Sequence, residues 1–502
     1  MEALPARLLT DLELEVAVQE EAAAVRNRVP PEPWRTAVAA STQRVADWVR
    51  DSLTGDMRVA PSAVVSARKE TYATRPVATM GIAERVTYRA LARHVLRDDL
   101  PDRSPEAYRA FVQAPITQAW DVAPGELRTF GNARFSHVVI SDIAAFYEYI
   151  DHDVLARELR IQTGNVLGIS FLKALLAESE GRTFGLPQLY DPSDWLSDYY
   201  IRIVERDLSR RGFRVWRYND DFRIACESYA EALEGVERLS DAARTVGLTV
   251  SDHKTFTPQF FNYLVANTNV DLIEGAANID PDEVEVTVRG YVDWDEDEPV
   301  EVALATLRRL ALPPSDPDRI DLAKTRGAQL LDIRRALATL TNQEHPGGLE
   351  WVVRLVEFIP SLTPQAVTYL IAAYGADADR VREQTTKLRH GESVSEWQAM
   401  WFVHALRELG FLDSPEAIEW TRTQRDRGRG GLLAAEASLA LAESAAITFD
   451  QLDIGLRMEP EVLAPWYVLG IKALRGSMNE ASVQQTAAIR DTSRLFKILL
   501  ES

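Results

Sequence analysis

The sequence contains a single cysteine, Cys226, among 502 residues. One thiol cannot close an intramolecular disulfide or supply the paired cysteines of a zinc finger, so both kinds of framework are excluded. The sequence has no run of about 18 apolar residues, which a membrane-spanning helix would need. The first residues, Met1 to Pro5, lack the basic and then apolar pattern of a signal peptide. We therefore expect a cytoplasmic protein with no membrane partner.

Positive charge is also in deficit, with 56 Lys and Arg against 76 Asp and Glu, which gives a net charge of −20. A nucleic-acid partner would need a local excess of positive charge to meet its phosphates. One stretch before residue 218 supplies a candidate: Arg202, Arg206, Arg210, Arg211, Arg214 and Arg217. The overall composition, 46% hydrophobic and 26% charged, is that of a globular protein with two or three domains.

Two adjacent carboxylates, Asp220 and Asp221, follow Asn219 at what the sequence predicts to be the tip of a hairpin. Apolar residues alternate after this turn, which predicts a strand with one buried face; they are Phe222, Ile224 and Cys226. Asn and Asp suit the turn because they tolerate unusual backbone angles. Taken alone, an Asp-Asp pair is an ordinary solvated turn. On a rigid hairpin, however, the two charges repel each other unless a cation lies beside them.

Two further motifs precede the hairpin. The first is a short β-branched strand within residues 137–150, which ends in Ser141-Asp142. The second is Gly185-Leu186-Pro187-Gln188, followed by Ser193. With Tyr218-Asn219-Asp220-Asp221 as the third, this ordered set resembles the motifs of reverse transcriptases over roughly the first half of the chain. Ordered motifs are a stronger signal than any one of them.

The resemblance implies a two-metal polymerase site. In the family, the carboxylates equivalent to Asp142, Asp220 and Asp221 are catalytic, and they hold the metal together with the carbonyl at the position of Ile143. Such sites use divalent ions about 4 Å apart. Mg²⁺ prefers hard oxygen ligands and is the expected cofactor, with Mn²⁺ as an alternative. The expected substrates are dNTPs.

The resemblance also implies a nucleotide pocket. Tyr147 corresponds to the steric gate against a 2′-hydroxyl, and its neighbour Phe146 is either part of the pocket or a core aromatic. The other residues carried over to substrate binding are Arg75, Arg85, Pro187, Gln188, Ser193, Tyr218 and Lys254. Arg75 and Arg85 would lie over the nucleotide; the alternative is a helix with ordinary surface arginines. Leu189 departs from the family, because many members have glycine there, and a bulky side chain could narrow the template path.

Two further sequence patterns are weaker than these motifs. Asp151, His152 and Asp153 look like a metal cluster, but a helix cap followed by a surface histidine is the better interpretation. Residues 283–292 alternate valines with polar residues, which predicts one more strand.

From about Val300 onward, apolar faces recur at helical spacing, separated by short turns with Gly or Pro. This region looks like stacked helical pairs of the HEAT type. Its tryptophans, such as Trp397 and Trp401, are expected in the core rather than as base-stacking platforms. The expected fold is α+β: reverse-transcriptase fingers and palm, with an antiparallel sheet and packed helices, and then an all-α repeat domain. The expected segments are 1–60 (N-terminal helices packed on the core), 61–295 (fingers and palm) and 296–502 (helical repeats).

A reverse-transcriptase core with a long helical region resembles bacterial antiviral-defence enzymes of the abortive-infection type. That implies a homo-oligomeric DNA polymerase that adds dNTPs to a 3′-hydroxyl, either template-independent and protein-primed or templated by a companion non-coding RNA. Its other partner would be its single-stranded DNA product. Two alternatives remain: a conventional RNA-templated enzyme of the retron or intron type, and a catalytically silent scaffold that binds through its helical half.

Overall fold

The computed structural model describes residues 1–55, 57–69, 73–97, 99–121, 130–268, 298–310, 328–391 and 394–502. The chain divides into two compact units, one of residues 1–94 with 294–502 and one of residues 95–293. The strand predicted over 283–292 and the segment boundary predicted at 295 lie outside the described residues. The other predicted boundary, at residue 60, stays a prediction.

The N-terminal part of the first unit consists of helices and one antiparallel strand pair. The helices are α1 (Ala6–Asp11), α2 (Leu14–Ala23), α3 (Arg35–Ala40), α4 (Thr42–Thr54) and α5 (Ile82–Leu96). Strands β1 (Ala63–Arg68) and β2 (Thr74–Thr79) pair with Ala63 opposite Thr79. The amphipathic pattern of α4 explains its packing, because its buried residues recur every three or four positions: Val45, Ala46, Val49 and Leu53.

A network of buried charges joins α2 to α5, and we call it the arginine–glutamate cluster. On α5, arginines recur every four residues and so share one helix face. The cluster consists of Glu20, Glu21, Arg26, Glu32, Arg85, Arg89 and Arg93. Glu21 accepts from Arg85 Nε at 2.9 Å and from Arg89 Nε at 2.6 Å. Opposite charges therefore meet in the interior of this unit.

The second unit is built on a three-stranded antiparallel sheet of order β3-β5-β4. Its strands are β3 (His137–Asp142), β4 (Arg214–Tyr218) and β5 (Asp221–Cys226). The alternation in β5 predicted one buried face, and this expectation was wrong. Residues Phe222 to Cys226 are all buried, because β5 is the central strand and is covered on both faces.

Helices surround this sheet and fix it in place. They are α6 (Pro105–Thr117), α7 (His152–Thr163), α8 (Val166–Glu180), α9 (Asp191–Arg210), α10 (Tyr229–Thr245) and α11 (Phe260–Asn267). α6 contacts β4 and β5, while α10 contacts β3 and β5. Aromatic residues dominate one core cluster beside the sheet: Trp120, Phe135, Phe260 and Tyr263, together with Ile116, Val138, Ala225 and Leu264. This cluster packs against the Val138–Ala225 pair of β3 and β5 and holds that part of the sheet in place.

The C-terminal part of the first unit is helical throughout its described residues. Its helices are α12 (Val300–Leu310), α13 (Ala328–Asn342), α14 (Val352–Phe358), α15 (Thr363–Ala373), α16 (Ala378–Arg389), α17 (Glu396–Glu408), α18 (Pro415–Arg427), α19 (Leu432–Glu443), α20 (Phe449–Met458), α21 (Ala464–Ala473), α22 (Glu480–Thr492) and α23 (Arg494–Glu501).

Neighbouring helices pair as α16–α17, α18–α19, α20–α21 and α22–α23, and the odd-numbered helices from α13 to α23 stack in a row. This arrangement is that of a helical repeat. Trp397 and Trp401 are buried, as expected of core residues. Helices α17 and α19 also contact β1 of the same unit. The predicted α+β class, with antiparallel sheets followed by stacked helices, is confirmed.

Among the described residues, none of the helices has the length and apolar character needed to span a bilayer.

Candidate active site

The hairpin between β4 and β5 turns at Asn219 and Asp220. Asn219 has a φ of 53°, in the left-handed region that asparagine tolerates better than most residues. Arg217 fixes the turn by donating from Nη1 to the Asn219 carbonyl at 3.0 Å. The same guanidinium binds Asp198 at 2.8 Å and Glu205 at 3.0 Å on α9. The tip of the hairpin is therefore tied to a long helix.

Three carboxylates meet at this tip, and we call them the carboxylate cluster: Asp142, Asp220 and Asp221. Asp142 ends β3 and pairs in register with Asp221, which begins β5. One carboxylate oxygen from each of the three residues lies within 4.8 Å of the others. The sequence prediction that these residues converge is thus met by the geometry. Three hard oxygen donors at this spacing fit a divalent cation such as Mg²⁺.

The electrostatics of the carboxylate cluster also favour a cation. Burial, followed by the charges of Asp142 and Asp221, raises the pKa of Asp220 to about 7. Burial also raises the pKa of Asp221, with Asp142 adding to the rise and Arg223 and Lys254 opposing it. A carboxyl group whose charged form is destabilised in this way gains most from an added positive charge.

Lys254 supplies part of that charge from this chain. Its Nζ lies 3.1 Å from Asp142 Oδ2. Burial alone would lower the pKa of Lys254, but the contact with Asp142 outweighs it and raises the pKa. The side chain is nevertheless 66% exposed, so this ion pair can exchange with an incoming ligand. Ile143, the predicted carbonyl ligand, is buried beside Asp142 and bridges to Val250; its role stays a prediction.

Tyr147 lies against the hairpin tip. It belongs to a 3-10 turn over Phe146–Tyr149, and its hydroxyl donates to Asp194 Oδ1 at 2.5 Å. The Asn219 amide donates to the same phenol oxygen at 3.2 Å. Burial, and then the nearby charge of Asp194, raise the pKa of Tyr147 well above its usual value. The neighbouring Phe146 is buried, with its ring centroid 5.4 Å from that of Tyr147, as expected of a core aromatic.

The Gly-Leu-Pro-Gln turn packs on the same segment. The Leu186 amide donates to the Tyr147 carbonyl at 2.8 Å, and the Ser193 hydroxyl donates to the Pro187 carbonyl at 2.6 Å. Gln188 is buried at the following position. The turn is thus joined to Tyr147 through Leu186 and to Ser193 through Pro187. Their contact with a nucleotide stays a prediction.

Leu189, the departure from the family pattern, has a φ of 68°. Glycine adopts this left-handed conformation without a steric penalty, whereas a side chain with a Cβ is strained there by about 1 kcal/mol. The chain therefore places a residue with a Cβ where glycine would adopt the same backbone conformation without strain.

His152 was expected at the surface, and that expectation was wrong. It is 1% exposed and its Nε2 donates to the Gly185 carbonyl at 2.6 Å. Asp151 caps α7 as predicted, accepting from the amides of Asp153 and Val154. The start of α7 therefore packs beneath the Gly-Leu-Pro-Gln turn, which buries the imidazole that the sequence pattern placed outside.

Other predicted site residues have different surroundings. Tyr218 is buried, donates to the Arg103 carbonyl at 2.9 Å and stacks edge-on against Tyr108. Arg85 belongs to the first unit, is 1% exposed and binds Glu21 and Glu32. A guanidinium held by two interior carboxylates does not offer its donors to a phosphate in this structure. Arg75 is half-buried on β2 of the same unit, and its role stays a prediction.

The arginine-rich stretch before the hairpin is largely balanced by acidic neighbours. Arg202 binds Asp198 and Asp99, Arg206 binds Glu158, Arg211 binds Asp207, and Arg214 binds Glu227. The expectation of a local excess of positive charge here is thus weakened by acidic partners on α9 itself and on other segments. Phosphates would have to displace carboxylates, which partly exposed ion pairs permit at small cost.

The sequence did not single out four residues of the site. They are Asp194, Asp198, Asn219 in its role as a hydrogen-bond partner of Tyr147, and Arg217 in its role of fixing the turn. Asp194 directly follows Ser193, and Asn219 is the variable position of the hairpin motif. Their closeness in sequence to the motifs was the signal that could have identified them as site residues.

No family model and no curated protein matches the chain. Solved telomerase structures are similar over much of its length. Telomerase from Candida albicans with a fragment of telomeric RNA is 12% identical, with 73% of this chain and 64% of that one covered and a TM-score of 0.33. Apo telomerase from Candida tropicalis is 9% identical, with 78% and 71% covered and a TM-score of 0.34. The chain thus spans less than two thirds of the first of these.

Proposed function

We propose that this chain is a nucleotidyltransferase, a DNA polymerase of the reverse-transcriptase type that adds dNTPs to a 3′-hydroxyl. The observation that supports the proposal is the carboxylate cluster. One oxygen from each of Asp142, Asp220 and Asp221 lies within 4.8 Å of the others, and the pKa of Asp220 is raised to about 7 in the absence of an added cation. Such an arrangement is costly for a protein that does not bind cations there.

The proposed chemistry assigns a task to each part of the site. Divalent ions held by the three carboxylates would activate the 3′-hydroxyl and neutralise the leaving pyrophosphate. The chain itself holds these carboxylates in place, because Asp142 and Asp221 are paired in the sheet and Arg217 fixes the turn. Lys254, beside Asp142, would offset negative charge on the triphosphate or give a proton to the leaving group.

Tyr147 supports deoxynucleotides as the substrate class. Its hydroxyl bonds to Asn219 of the hairpin and to Asp194 of α9, which together hold the ring close to the hairpin. A ring fixed beside the carboxylates would exclude a 2′-hydroxyl by contact. Replacing Tyr147 by Ala should then admit ribonucleotides.

The direct test is incorporation of labelled dNTPs by the purified full-length chain with Mg²⁺ or Mn²⁺, with and without added RNA. Asp220→Asn keeps the shape of the side chain and removes its charge, so we expect incorporation to fall by about 100-fold or more. Asp241→Asn is the matched control, because Asp241 is an exposed carboxylate of α10 paired with Arg244. Equal incorporation by wild type and Asp220→Asn would refute the proposal and favour a silent scaffold.

The finer proposal is a homo-oligomeric enzyme of antiviral defence. It rests on the sequence resemblance together with the helical repeats. Sequencing of the product separates its two forms: homopolymeric or random DNA without RNA supports template-independent synthesis, whereas a copy of a co-purified RNA supports templated synthesis. Loss of phage resistance in Asp220→Asn, but not in Asp241→Asn, would connect the activity to defence.

A further inference from the structure

The geometry points to Asp194 as a positioning residue that sets sugar selectivity by holding Tyr147 against the hairpin. The inference rests on the proposed polymerase function and deepens it. Asp194 does not lie in any of the three motifs. Its Oδ1 accepts the Tyr147 hydroxyl at 2.5 Å, and the phenol oxygen in turn accepts from the Asn219 amide at 3.2 Å. Asp194, Tyr147 and Asn219 thus form one chain of hydrogen bonds that ends beside Asp220.

Asp194 is suited to this task because its own backbone is fixed. It lies in the first turn of α9. Its carbonyl accepts from Arg103 Nη2 at 2.9 Å and from the Ser197 hydroxyl at 3.0 Å. The preceding residue, Ser193, is buried and bonds to Pro187. A carboxylate anchored in this way restricts the position of whatever it binds.

The bond between Asp194 and Tyr147 belongs to the strong class. A hydroxyl that donates to an ionised carboxylate forms a charge-assisted hydrogen bond, about twice as strong as a neutral one. The raised pKa of Tyr147, caused by burial and then by Asp194, keeps the phenol protonated at neutral pH. The hydroxyl therefore remains a donor under the conditions in which a polymerase would act.

Helix α9 reaches the hairpin tip by a second route. Asp198, one turn after Asp194, binds Arg217, and Arg217 donates to the Asn219 carbonyl. The side chain of Asn219 is held through Tyr147 and its backbone through Arg217. Asp194, which binds Tyr147, and Asp198, which binds Arg217, both lie on α9. The ring of Tyr147 and the turn that carries Asp220 are therefore supported by the same helix.

A side chain that excludes a 2′-hydroxyl by contact must resist displacement. Without Asp194, the Tyr147 ring would lose its strongest polar contact and could move aside for a ribonucleotide. We expect Asp194→Ala to lower the ratio of kcat/KM for dNTPs to that for rNTPs by about tenfold, which corresponds to about 1.4 kcal/mol. Most of the change should appear as a lower KM for rNTPs, because the space for the sugar opens.

The experiment compares variants of the full chain. Asp194→Asn keeps an acceptor oxygen and should retain most of the selectivity. Tyr147→Phe removes the hydroxyl, so Asp194→Ala should add no further loss in that background, as expected for two residues that act through one bond. Asp207→Ala is the matched control, because Asp207 is an exposed carboxylate of α9 paired with Arg211, and its ratio should equal that of wild type.

The outcomes separate this inference from the proposed function. A wild-type chain that prefers dNTPs, together with an Asp194→Ala variant of the same ratio, overturns the positioning role and leaves the polymerase standing. Equal losses with dNTPs and rNTPs also overturn it, because they indicate a merely structural effect. A wild-type chain that incorporates neither nucleotide overturns the proposed function, and the positioning role falls with it.

Discussion

Two clusters of partly or fully buried charge, one in each unit of the chain, are balanced in opposite ways. In the arginine–glutamate cluster, four arginines meet three glutamates, and each of these glutamates has at least one arginine within ion-pair distance. In the carboxylate cluster, three aspartates lie together and the exposed Lys254 contacts one of them. The first set is neutralised by the chain itself, whereas the second carries excess negative charge.

The pKa values respond accordingly. Burial alone would raise the pKa of Glu21, but Arg85 and Arg89 outweigh it and lower the pKa. Burial raises the pKa of Asp220 to about 7, and the neighbouring aspartates add to the rise. Desolvation thus has opposite outcomes in the two clusters, because the partners differ in sign. The comparison teaches that burial of charge by itself does not indicate function, whereas uncompensated burial does.

Removing a charge should therefore have opposite effects in the two clusters, and the largest effect is expected at Glu21. Glu21→Gln leaves Arg85 and Arg89 without their shared anion in the interior. We expect a loss of about 3 kcal/mol in the free energy of unfolding, measured by urea denaturation of the full chain. Glu15→Gln, an exposed position of the same helix, should change it by less than about 0.5 kcal/mol. Equal stability of Glu21→Gln and wild type would show that Glu21 does not compensate the buried charges of Arg85 and Arg89.

Asp220→Asn should act in the opposite direction when divalent ions are removed with a chelator. The pKa of Asp220 is raised from 3.8 to about 7 on folding, so the folded state binds the proton more tightly than the unfolded state. Wild-type stability should then fall as the pH rises from about 4 to about 7, and the Asn variant should escape that loss. Above about pH 7 we therefore expect the variant to be the more stable of the two, measured by thermal unfolding.

A divalent cation should reduce this difference in stability. Mg²⁺ at about ten times its dissociation constant should stabilise the wild type by about 1.4 kcal/mol, and Asp220→Asn by much less. Glu21→Gln should respond to Mg²⁺ as the wild type does, because its defect lies in the other cluster. A wild type that is more stable than Asp220→Asn in the chelator at about pH 8 would contradict the assignment of uncompensated charge.

The two clusters also differ in how far the sequence could predict them. The order of three motifs was enough to predict that Asp142, Asp220 and Asp221 converge, because strand alternation and a turn fix local geometry and the resemblance supplied the pairing. The hairpin and β3 follow the predicted ranges closely. The helical character of residues after 300 followed from apolar periodicity. These are features that neighbouring residues determine.

Features that depend on distant partners could not be predicted. An arginine that leads a helix looks the same in sequence whether it faces a phosphate or a glutamate, and Arg85 finds Glu21 across 64 residues. The partner of Tyr147 is 47 residues away at Asp194. His152 was expected at the surface because its neighbours in sequence do not indicate that it bonds to the Gly185 carbonyl. Tertiary packing decided each of these cases.

The smallest effect concerns Lys254, the cation that the chain places on Asp142. Its ammonium competes with a metal ion for the same carboxylate oxygen, so Lys254→Met should raise the affinity of the nucleotide-free chain for Mn²⁺ by about threefold, measured by titration calorimetry. The free energy of unfolding should change by less than about 1 kcal/mol, because the side chain is mostly exposed. Lys173→Met, which removes an ammonium from an ion pair with Asp153, should leave the affinity for Mn²⁺ unchanged. A lower affinity in Lys254→Met would mean that the lysine assists metal binding. The carboxylate cluster would then need less added positive charge than its pKa values imply.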